Sequence, residues 1–240
     1  MIKPINYTEL TPGLAEAGCF VLDMPNEHYH NADGISKSGL DLVDISPAHY
    51  ACSAPFKSTR AMEIGTAIHA AVLEPGMFNR DYLQLKDVKA RTSSEYKQAV
   101  KAKGTTELVL TGPEADKVMG MKLSVEGCEP WNTVYCMDHF TELSAFVRCP
   151  KTGVLLRARF DFITAAGIVV DLKKTQDARY ESFQKSVANY RYHVQDAFYS
   201  YVYELVTGKP LEAFWFLAIE ENAPNTCKLY RLDDEARAIG

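Results

Sequence analysis

The chain has 240 residues, a length that favours one domain with a full hydrophobic core. Hydrophobic residues make up 47% and charged residues 24%, and the net charge of −5 argues against a uniformly basic nucleic-acid coat without excluding a local basic groove. Six scattered cysteines, none in a C-x-x-C pair, disfavour zinc or iron–sulfur sites and indicate free thiols in a reducing cytoplasm.

The first half of the chain predicts mainly helices. Residues 1–34 are rich in turn formers and predict an extended lead-in, with neither a leader peptide nor a membrane span, so we expect an intracellular protein. A short helix is predicted to begin after Ser36 as its N-cap, and Ser46-Pro47-Ala48 predicts another with proline at the favoured first position. A stronger helix is predicted over 60–73, because its apolar residues share one face. Further helices are predicted at 93–102 and from 112 to about 125, around a short strand at 107–110.

The second half of the chain predicts strands around one long helix. Strands at 143–148 and 154–163 flank a hairpin turn, and a β-branched strand at 168–172 follows. A helix over 179–207, with a break near Ala188-Asn189, precedes strands at 214–219 and 227–232. A last helix begins at Asp233 and is cut short by the chain end, so we expect that a C-terminal portion is missing. This order predicts one domain over 1–240, with a mixed sheet in an α/β or α+β arrangement.

The candidate chemistry lies in the strings Phe160-Asp161 and Val170-Asp171-Leu172-Lys173. Strand alternation predicts one face with Asp171 and Lys173 on the later strand. On the earlier strand it predicts a face with Arg157, Arg159 and Asp161, opposite Leu156, Ala158, Phe160 and Phe162. Two carboxylates can hold a divalent metal, and Lys173 can touch a water that the metal polarises. The strings therefore favour hydrolysis of a phosphodiester, while a structural ion pair at a strand end stays open.

Two helices add candidate residues. His69 lies among small residues, which allow another backbone to approach, although such a histidine is more often part of a core. Tyr192, Gln195 and Tyr199 recur at three- and four-residue spacing and form one stripe on the long helix. An amphipathic helix with aromatic core contacts would explain the tyrosines, but the Gln195 amide needs polar partners when buried.

In this order, His69, Asp161, Asp171-Leu172-Lys173 and the Gln195/Tyr199 pair resemble PD-(D/E)XK nucleases of the RecB and lambda-exonuclease type. The RecE-type exonuclease domain (exonuclease VIII) is the most similar group, over roughly residue 28 to the chain end. The strings that carry this resemblance are Tyr29-His30 with Ser36-Lys37-Ser38, Gly65-Thr66-Ala67-Ile68-His69 with Leu73-Glu74-Pro75, and Tyr190-Arg191-Tyr192-His193-Val194-Gln195-Asp196-Ala197-Phe198-Tyr199. Phe160 stands where the family motif has its proline, and Lys174 directly follows Lys173.

The resemblance implies a restriction-endonuclease-like PD-(D/E)XK core of the α/β class, a central mixed sheet flanked by helices. It also implies that Asp161, Asp171, the Leu172 carbonyl and His69 bind Mg²⁺, with Mn²⁺ tolerated. Lys173 would orient or deprotonate the attacking water, and Gln195 and Tyr199 would hold the scissile strand or the lysine. Glu142 could be an outer carboxylate. Ser36 and Ser38 would contact a 5′-phosphate, unless they only cap a helix.

Relatives of this type degrade one strand of linear double-stranded DNA from the 5′ end and form rings around it. The resemblance therefore implies a bacterial or phage-encoded exonuclease, a trimeric or tetrameric ring, and a single-strand annealing partner in recombination. Arg157, Arg159, Arg179 and Arg191 would contact DNA phosphates. The alternatives are an endonuclease or flap nuclease with the same fold, and an inactive DNA-binding module.

Overall fold

Nine strands and twelve α-helices occur in the part of the chain described by this computed structural model, residues 2–53 and 58–240. The strands are β1 (Ile5–Asn6), β2 (Cys19–Leu22), β3 (Leu83–Leu85), β4 (Val109–Thr111), β5 (His139–Arg148), β6 (Leu155–Thr164), β7 (Ile168–Thr175), β8 (Ala213–Glu220) and β9 (Cys227–Tyr230). The helices are α1 (Pro12–Ala17), α2 (Asn26–Asn31), α3 (Lys37–Ile45), α4 (Pro47–Ala51), α5 (Arg60–Leu73), α6 (Pro75–Asp81), α7 (Ser94–Lys103), α8 (Gly112–Glu126), α9 (Glu129–Tyr135), α10 (Tyr180–Asn189), α11 (Tyr192–Thr207) and α12 (Asp234–Ile239).

A seven-stranded mixed sheet in the order β1-β2-β5-β6-β7-β8-β9 forms the centre of the protein. The β1–β2 and β7–β8 pairs are parallel, and the other neighbours are antiparallel. Strands β3 and β4 form a separate parallel pair. The parallel β7–β8 connection runs through α10 and α11, as a crossover between parallel strands requires. The predicted α/β fold with a central mixed sheet is confirmed.

Helices cover both faces of the sheet and bury its apolar side chains. On one face, Phe183 of α10 and Phe198 of α11 pack against Phe160 and Phe214. On the other face, apolar residues of α5, α8 and α9 pack against Val170 and Leu217. Nonpolar surface removed from water in these two layers is the main source of the stability of the fold.

The prediction of an extended lead-in over 1–34 is wrong, because β1, α1, β2 and α2 lie there. Phe20 pairs with Ala145 in β5, so this segment extends the sheet. Thr11 caps α1 by accepting a hydrogen bond from the Leu14 N–H. These elements have only two to six residues, and such short pieces depend on tertiary pairing rather than on periodicity that a sequence can display.

Other predicted boundaries are close to the observed ones. The break in the long helix lies at Tyr190 and Arg191, where Arg191 adopts a left-handed backbone with φ of 54°. Strand β5 begins at His139, four residues before the prediction, and α9 was not predicted. All six cysteines are free. None of the described helices has the length and apolar character needed to cross a membrane.

Candidate metal centre and active site

Strands β6 and β7 separate immediately beside the predicted carboxylates. Only Phe162–Val170 and Ile163–Val169 are paired between them. Beyond this point β6 binds Ile35 instead, through the Ile35 N–H to the Leu155 carbonyl at 2.8 Å and the Arg157 N–H to the Ile35 carbonyl at 2.9 Å. Strand β7 continues alongside β8 alone. The gap between the separated strands is open to side chains from both faces of the sheet.

Asp161 and Asp171 lie at the start of this gap, one on each strand. The Leu172 N–H donates a hydrogen bond of 2.8 Å to Asp161 Oδ2 across it. This bond holds the Asp161 carboxylate beside β7 although the strands no longer pair. The structure thus brings together the carboxylates of the two strings, as the sequence predicts. Ligation by the Leu172 carbonyl stays a prediction.

The predicted alternation of β6 fails at Asp161. Phe160 packs with α10 and α11, but Phe162 packs on the opposite face against Trp131 and Tyr135, so the two phenylalanines do not share a face. Glu142, which lies across from Asp161 in the β5–β6 register, has φ of 48° and forms no strand pair. This distortion of both strands changes which face each following side chain occupies, and it turns both carboxylates toward α5.

His69 on α5 completes a cluster with these two carboxylates. Its Nδ1 lies 3.6 Å from Glu142 Oε1 and 3.7 Å from Asp161 Oδ2. One ligand atom from each of the three residues lies within 4.8 Å of the others. Two carboxylates and an imidazole are a donor set suited to a hard divalent cation, with the imidazole favouring Mn²⁺. Glu142 was predicted only as an outer carboxylate, yet it lies as close to His69 as Asp161 does.

Asp171 lies beside this cluster of three rather than within it. Its Oδ2 is 2.5 Å from Lys173 Nζ, and its Oδ1 accepts a hydrogen bond of 2.5 Å from Gln195 Nε2. The ion pair left open by the sequence is therefore present, and the buried Gln195 amide donates its hydrogen bond to the Asp171 carboxylate. Ligation of a metal by Asp171 stays a prediction.

The ionisation of the cluster follows from burial and neighbouring charge. Burial raises the pKa of Asp171 to about 6, and it also raises the pKa of Asp161. For His69, burial opposes the imidazolium, but Asp161 and Glu142 outweigh it and raise the pKa to about 9. Burial also opposes the Lys173 ammonium, and Asp171 more than compensates, so the pKa of Lys173 is raised. At neutral pH His69 and Lys173 are therefore both cationic beside the carboxylates, and a metal ion could replace one of these charges.

Aromatic rings border the lysine and a neighbouring cavity. Lys173 Nζ lies 4.8 Å from the centroid of the Tyr192 ring. Tyr199 packs against Phe160 with centroids 5.2 Å apart and reaches a cavity of about 770 Å³. That cavity is also lined by His69, Glu142, Asp161 and Arg159. Its position next to the candidate metal ligands makes it the natural entry for a substrate.

Most of the arginines predicted to contact DNA phosphates instead bind other groups of the chain. Arg157 donates to the backbone carbonyls of Tyr29 and His30. Arg159 is buried, donates to the Met24 carbonyl at 2.6 Å and lies over the Tyr29 ring. These two arginines hold α2 against the sheet, and only Arg159 also lines the cavity.

The remaining predicted DNA contacts are more peripheral. Arg191 pairs with Asp44 at 2.6 Å, and the exposed Arg179 pairs with Asp177 at 2.7 Å. Ser36 caps α3 by accepting a hydrogen bond from the Gly39 N–H, which fits the capping interpretation, and Ser38 is exposed. A role for these residues in binding phosphate stays a prediction.

Comparisons with known proteins agree with this fold. A family described as "PDDEXK-like domain of unknown function (DUF3799)" matches residues 43–239. A crystal structure of a "Putative exonuclease" from Eubacterium rectale is similar in fold, with a TM-score of 0.60 and 14% identity over 91% of this chain and 81% of that one. No curated protein matches. The family match includes every predicted site residue except Ser36 and Ser38, and the chain belongs to this PDDEXK-like family.

Proposed function

We propose that the protein is a metal-dependent 5′→3′ exodeoxyribonuclease that degrades one strand of linear double-stranded DNA. The observation that carries this proposal is the convergence of Asp161, Asp171, Lys173 and His69 where β6 and β7 separate. Membership of a PDDEXK-like family supports a nuclease, and the description of the structural neighbour favours an exonuclease. The resemblance to RecE-type domains supports the 5′→3′ polarity.

The residues of the site fit a divalent cation. His69, Glu142 and Asp161 would hold it, and Asp171 would join them if Lys173 or Gln195 releases one of its oxygens. The predominance of oxygen ligands favours Mg²⁺, and the imidazole favours tolerance of Mn²⁺. When bound, the cation supplies Lewis-acid chemistry that activates water and neutralises phosphate charge.

The chain's own residues would orient the reaction. Lys173 carries a proton at neutral pH, so it acts as a hydrogen-bond donor to the attacking water or to a phosphate oxygen rather than as a base. Asp171 keeps the ammonium in place, and Gln195 in turn fixes Asp171. The Tyr192 ring contacts the Lys173 ammonium from another side and restricts its movement. A lysine restrained by two direct contacts, one of which Gln195 fixes in turn, is pre-organised for this role.

Relatives of the RecE type suggest the biological setting. We include in the proposal a role in homologous recombination, with a single-strand annealing protein as partner and a trimeric or tetrameric ring around DNA. The net charge of −5 is compatible with a ring that is acidic outside and basic inside. Measurement of mass in solution tests the ring, and a monomer at all concentrations contradicts it.

Incubation with linear, nicked-circular and closed-circular duplexes tests the activity. We expect Mg²⁺-dependent loss of the linear duplex with accumulation of single strands, no loss in EDTA, and no loss with Lys173→Ala. Duplexes protected by phosphorothioates at either the 5′ or the 3′ ends test the polarity, and only 5′ protection should block degradation. Cleavage of closed circles would indicate an endonuclease, and cleavage at branched junctions a flap nuclease. Binding without any cleavage would indicate an inactive DNA-binding module.

A further inference from the structure

Tyr190, at the break between α10 and α11, presents an aromatic ring to solvent beside the candidate active site. Tyr190 is 62% exposed to solvent. The ring stacks on Tyr192, with centroids 5.7 Å apart and an angle of 23° between the planes. Tyr192 stacks in turn on Phe216 of β8 at 5.3 Å and 20°. An exposed tyrosine thus forms the outer end of a stack of three rings that begins in the core.

The backbone around Tyr190 is held by several contacts. Its N–H donates to the Ser186 carbonyl, and its own carbonyl accepts a hydrogen bond of 2.7 Å from Lys37 Nζ on α3. The next residue, Arg191, has a left-handed backbone and pairs with Asp44 of α3. A backbone restrained in this way keeps the ring exposed at little further cost in conformational entropy on binding.

The position of the stack relates Tyr190 to the reacting groups. The Tyr192 ring contacts Lys173 Nζ, and Lys173 contacts Asp171, so Tyr190 is one ring away from the catalytic lysine. The cavity lined by His69, Glu142 and Asp161 does not include these tyrosines. The acidic groups near Tyr190, Asp41 and Asp44, are paired with Lys37 and Arg191, so they do not leave an excess of negative charge that would repel a polyanion.

We propose that Tyr190, supported by Tyr192, is a stacking platform for a nucleobase of the DNA strand adjacent to the scissile phosphate. This inference rests on the proposed function and adds a base-binding subsite to it. A flat ring with one face supported and the other exposed matches the way proteins bind unpaired bases, and such stacking tolerates any base because every base has a π-face. The strand would pass from the metal site over Lys173 to Tyr190.

The test compares Tyr190→Ala, Tyr190→Phe and Tyr180→Ala with the wild-type chain. Tyr180 is a matched control, since it is 55% exposed at the start of α10, the helix that ends just before Tyr190, and its ring contacts Tyr230 rather than Tyr192. The probe is a short duplex with 2-aminopurine at the terminal nucleotides. Protein is titrated into this duplex in a buffer that contains Ca²⁺ in place of Mg²⁺. We expect Tyr190→Ala to bind this DNA about 5- to 100-fold more weakly and to lose the 2-aminopurine fluorescence change.

Tyr190→Phe should behave like the wild type, because a phenyl ring stacks equally well, and Tyr180→Ala should bind normally. In Mg²⁺, Tyr190→Ala should raise KM with little change in kcat, which a structural defect at the lysine would not do. Wild-type affinity of Tyr190→Ala in a chain that binds and cleaves DNA would overturn the platform and leave the nuclease proposal intact. Equal losses in Tyr190→Ala and Tyr180→Ala would also overturn it. Absence of both binding and cleavage in the wild type would overturn both proposals.

Discussion

Lys173 and Lys174 are consecutive in β7 and bind carboxylates in different places: Lys173 Nζ lies 2.5 Å from Asp171, and Lys174 Nζ lies 2.7 Å from Glu221, just beyond β8. The alternation of a strand sends neighbouring side chains to opposite faces. The sequence left some doubt about which lysine faces the site, and the structure places Lys173 there. The chain thereby contains its own matched control for the candidate catalytic lysine.

Replacement of each lysine by alanine should give very different enzymes. Lys173→Ala removes the donor beside Asp171, and we expect kcat for DNA cleavage to fall by about 100-fold or more. Lys174→Ala removes a partly exposed ion pair with Glu221, and kcat should stay close to the wild-type value. Single-turnover cleavage of a linear duplex measures both. Equal losses in the two variants would contradict the assignment of Lys173.

Glu142→Gly should separate metal binding from stability. The left-handed backbone of Glu142 costs about 1 kcal/mol for an L-residue, and glycine removes this cost. We therefore expect an unchanged or slightly higher Tm, whereas loss of the carboxylate beside His69 should weaken Mn²⁺ binding about tenfold or more. Calorimetric titration and thermal melting measure the two effects. Thr141→Gly, at the neighbouring paired position, should do the reverse and lower Tm with little change in affinity.

Metal affinity should increase with pH in a range set by His69. The pKa of His69 is raised to about 9, so below that pH the metal must displace a proton from the ring. The apparent affinity for Mn²⁺ should therefore rise by up to about tenfold per pH unit between pH 7 and 8.5, with proton release visible in buffers of different ionisation enthalpy. In His69→Ala both the slope and the proton release should decrease strongly. An unchanged slope in His69→Ala would exclude the imidazole as a ligand.

Arg60 should be important for the stability of the layer that carries His69. Its guanidinium donates to Glu114 at 2.6 and 2.8 Å, to Glu63 at 2.6 Å, and to the carbonyls of Thr106 and Val109. These bonds join the start of α5 to β4 and α8. Arg60→Ala should lower the free energy of unfolding by about 2–4 kcal/mol, because it removes the cation between two carboxylates and five hydrogen bonds at once.

Urea denaturation measures this loss, and Arg60→Lys should recover only part of it, because a lysine cannot reproduce the planar fork of donors. Arg80→Ala is the control. Arg80 also binds a carboxylate, that of Asp81, but its side chain is highly exposed, so its loss should change stability little. A similar cost for both alanine variants would show that the Arg60 contacts contribute no more than a surface ion pair.

Much of the site was predictable because it depends on local pattern. The alternation of a strand places Asp171 and Lys173 on one face, and the three- and four-residue spacing of a helix places Gln195 on one stripe with Tyr192 and Tyr199. The resemblance to PD-(D/E)XK nucleases predicts that this stripe lies near the carboxylates, where the structure has Gln195. Glu142 was predicted only as an outer carboxylate, although the strand register already indicated its position beside Asp161. Counting back from the hairpin turn places residue 142 opposite Asp161, in the register of the pairs on either side, Thr141–Phe162 and Leu143–Phe160. The backbone distortion that turns both carboxylates toward His69 has no comparable signal in the sequence.

The roles of the arginines were less predictable. Arg157 and Arg159 follow the polar face of a strand, which is equally compatible with DNA contacts and with contacts to another segment of the chain. Which one occurs depends on α2, and α2 lies in the segment predicted to be an extended lead-in. An error in one short element thus changed the interpretation of two side chains more than 120 residues away.

The central sheet divides at the Phe162–Val170 pair: beyond it, β6 runs beside Ile35, and β7 runs beside β8. Asp161 and Asp171 lie on the two separated strands, just beyond the last residue pair. The angle between β6 and β7 therefore sets the distance between the two carboxylates. Two residue pairs hold β6 and β7 together at this point, and the buried Phe162 ring packs against Trp131 and His139 beside them. The volume of the side chain at position 162 can therefore change the distance between the two carboxylates.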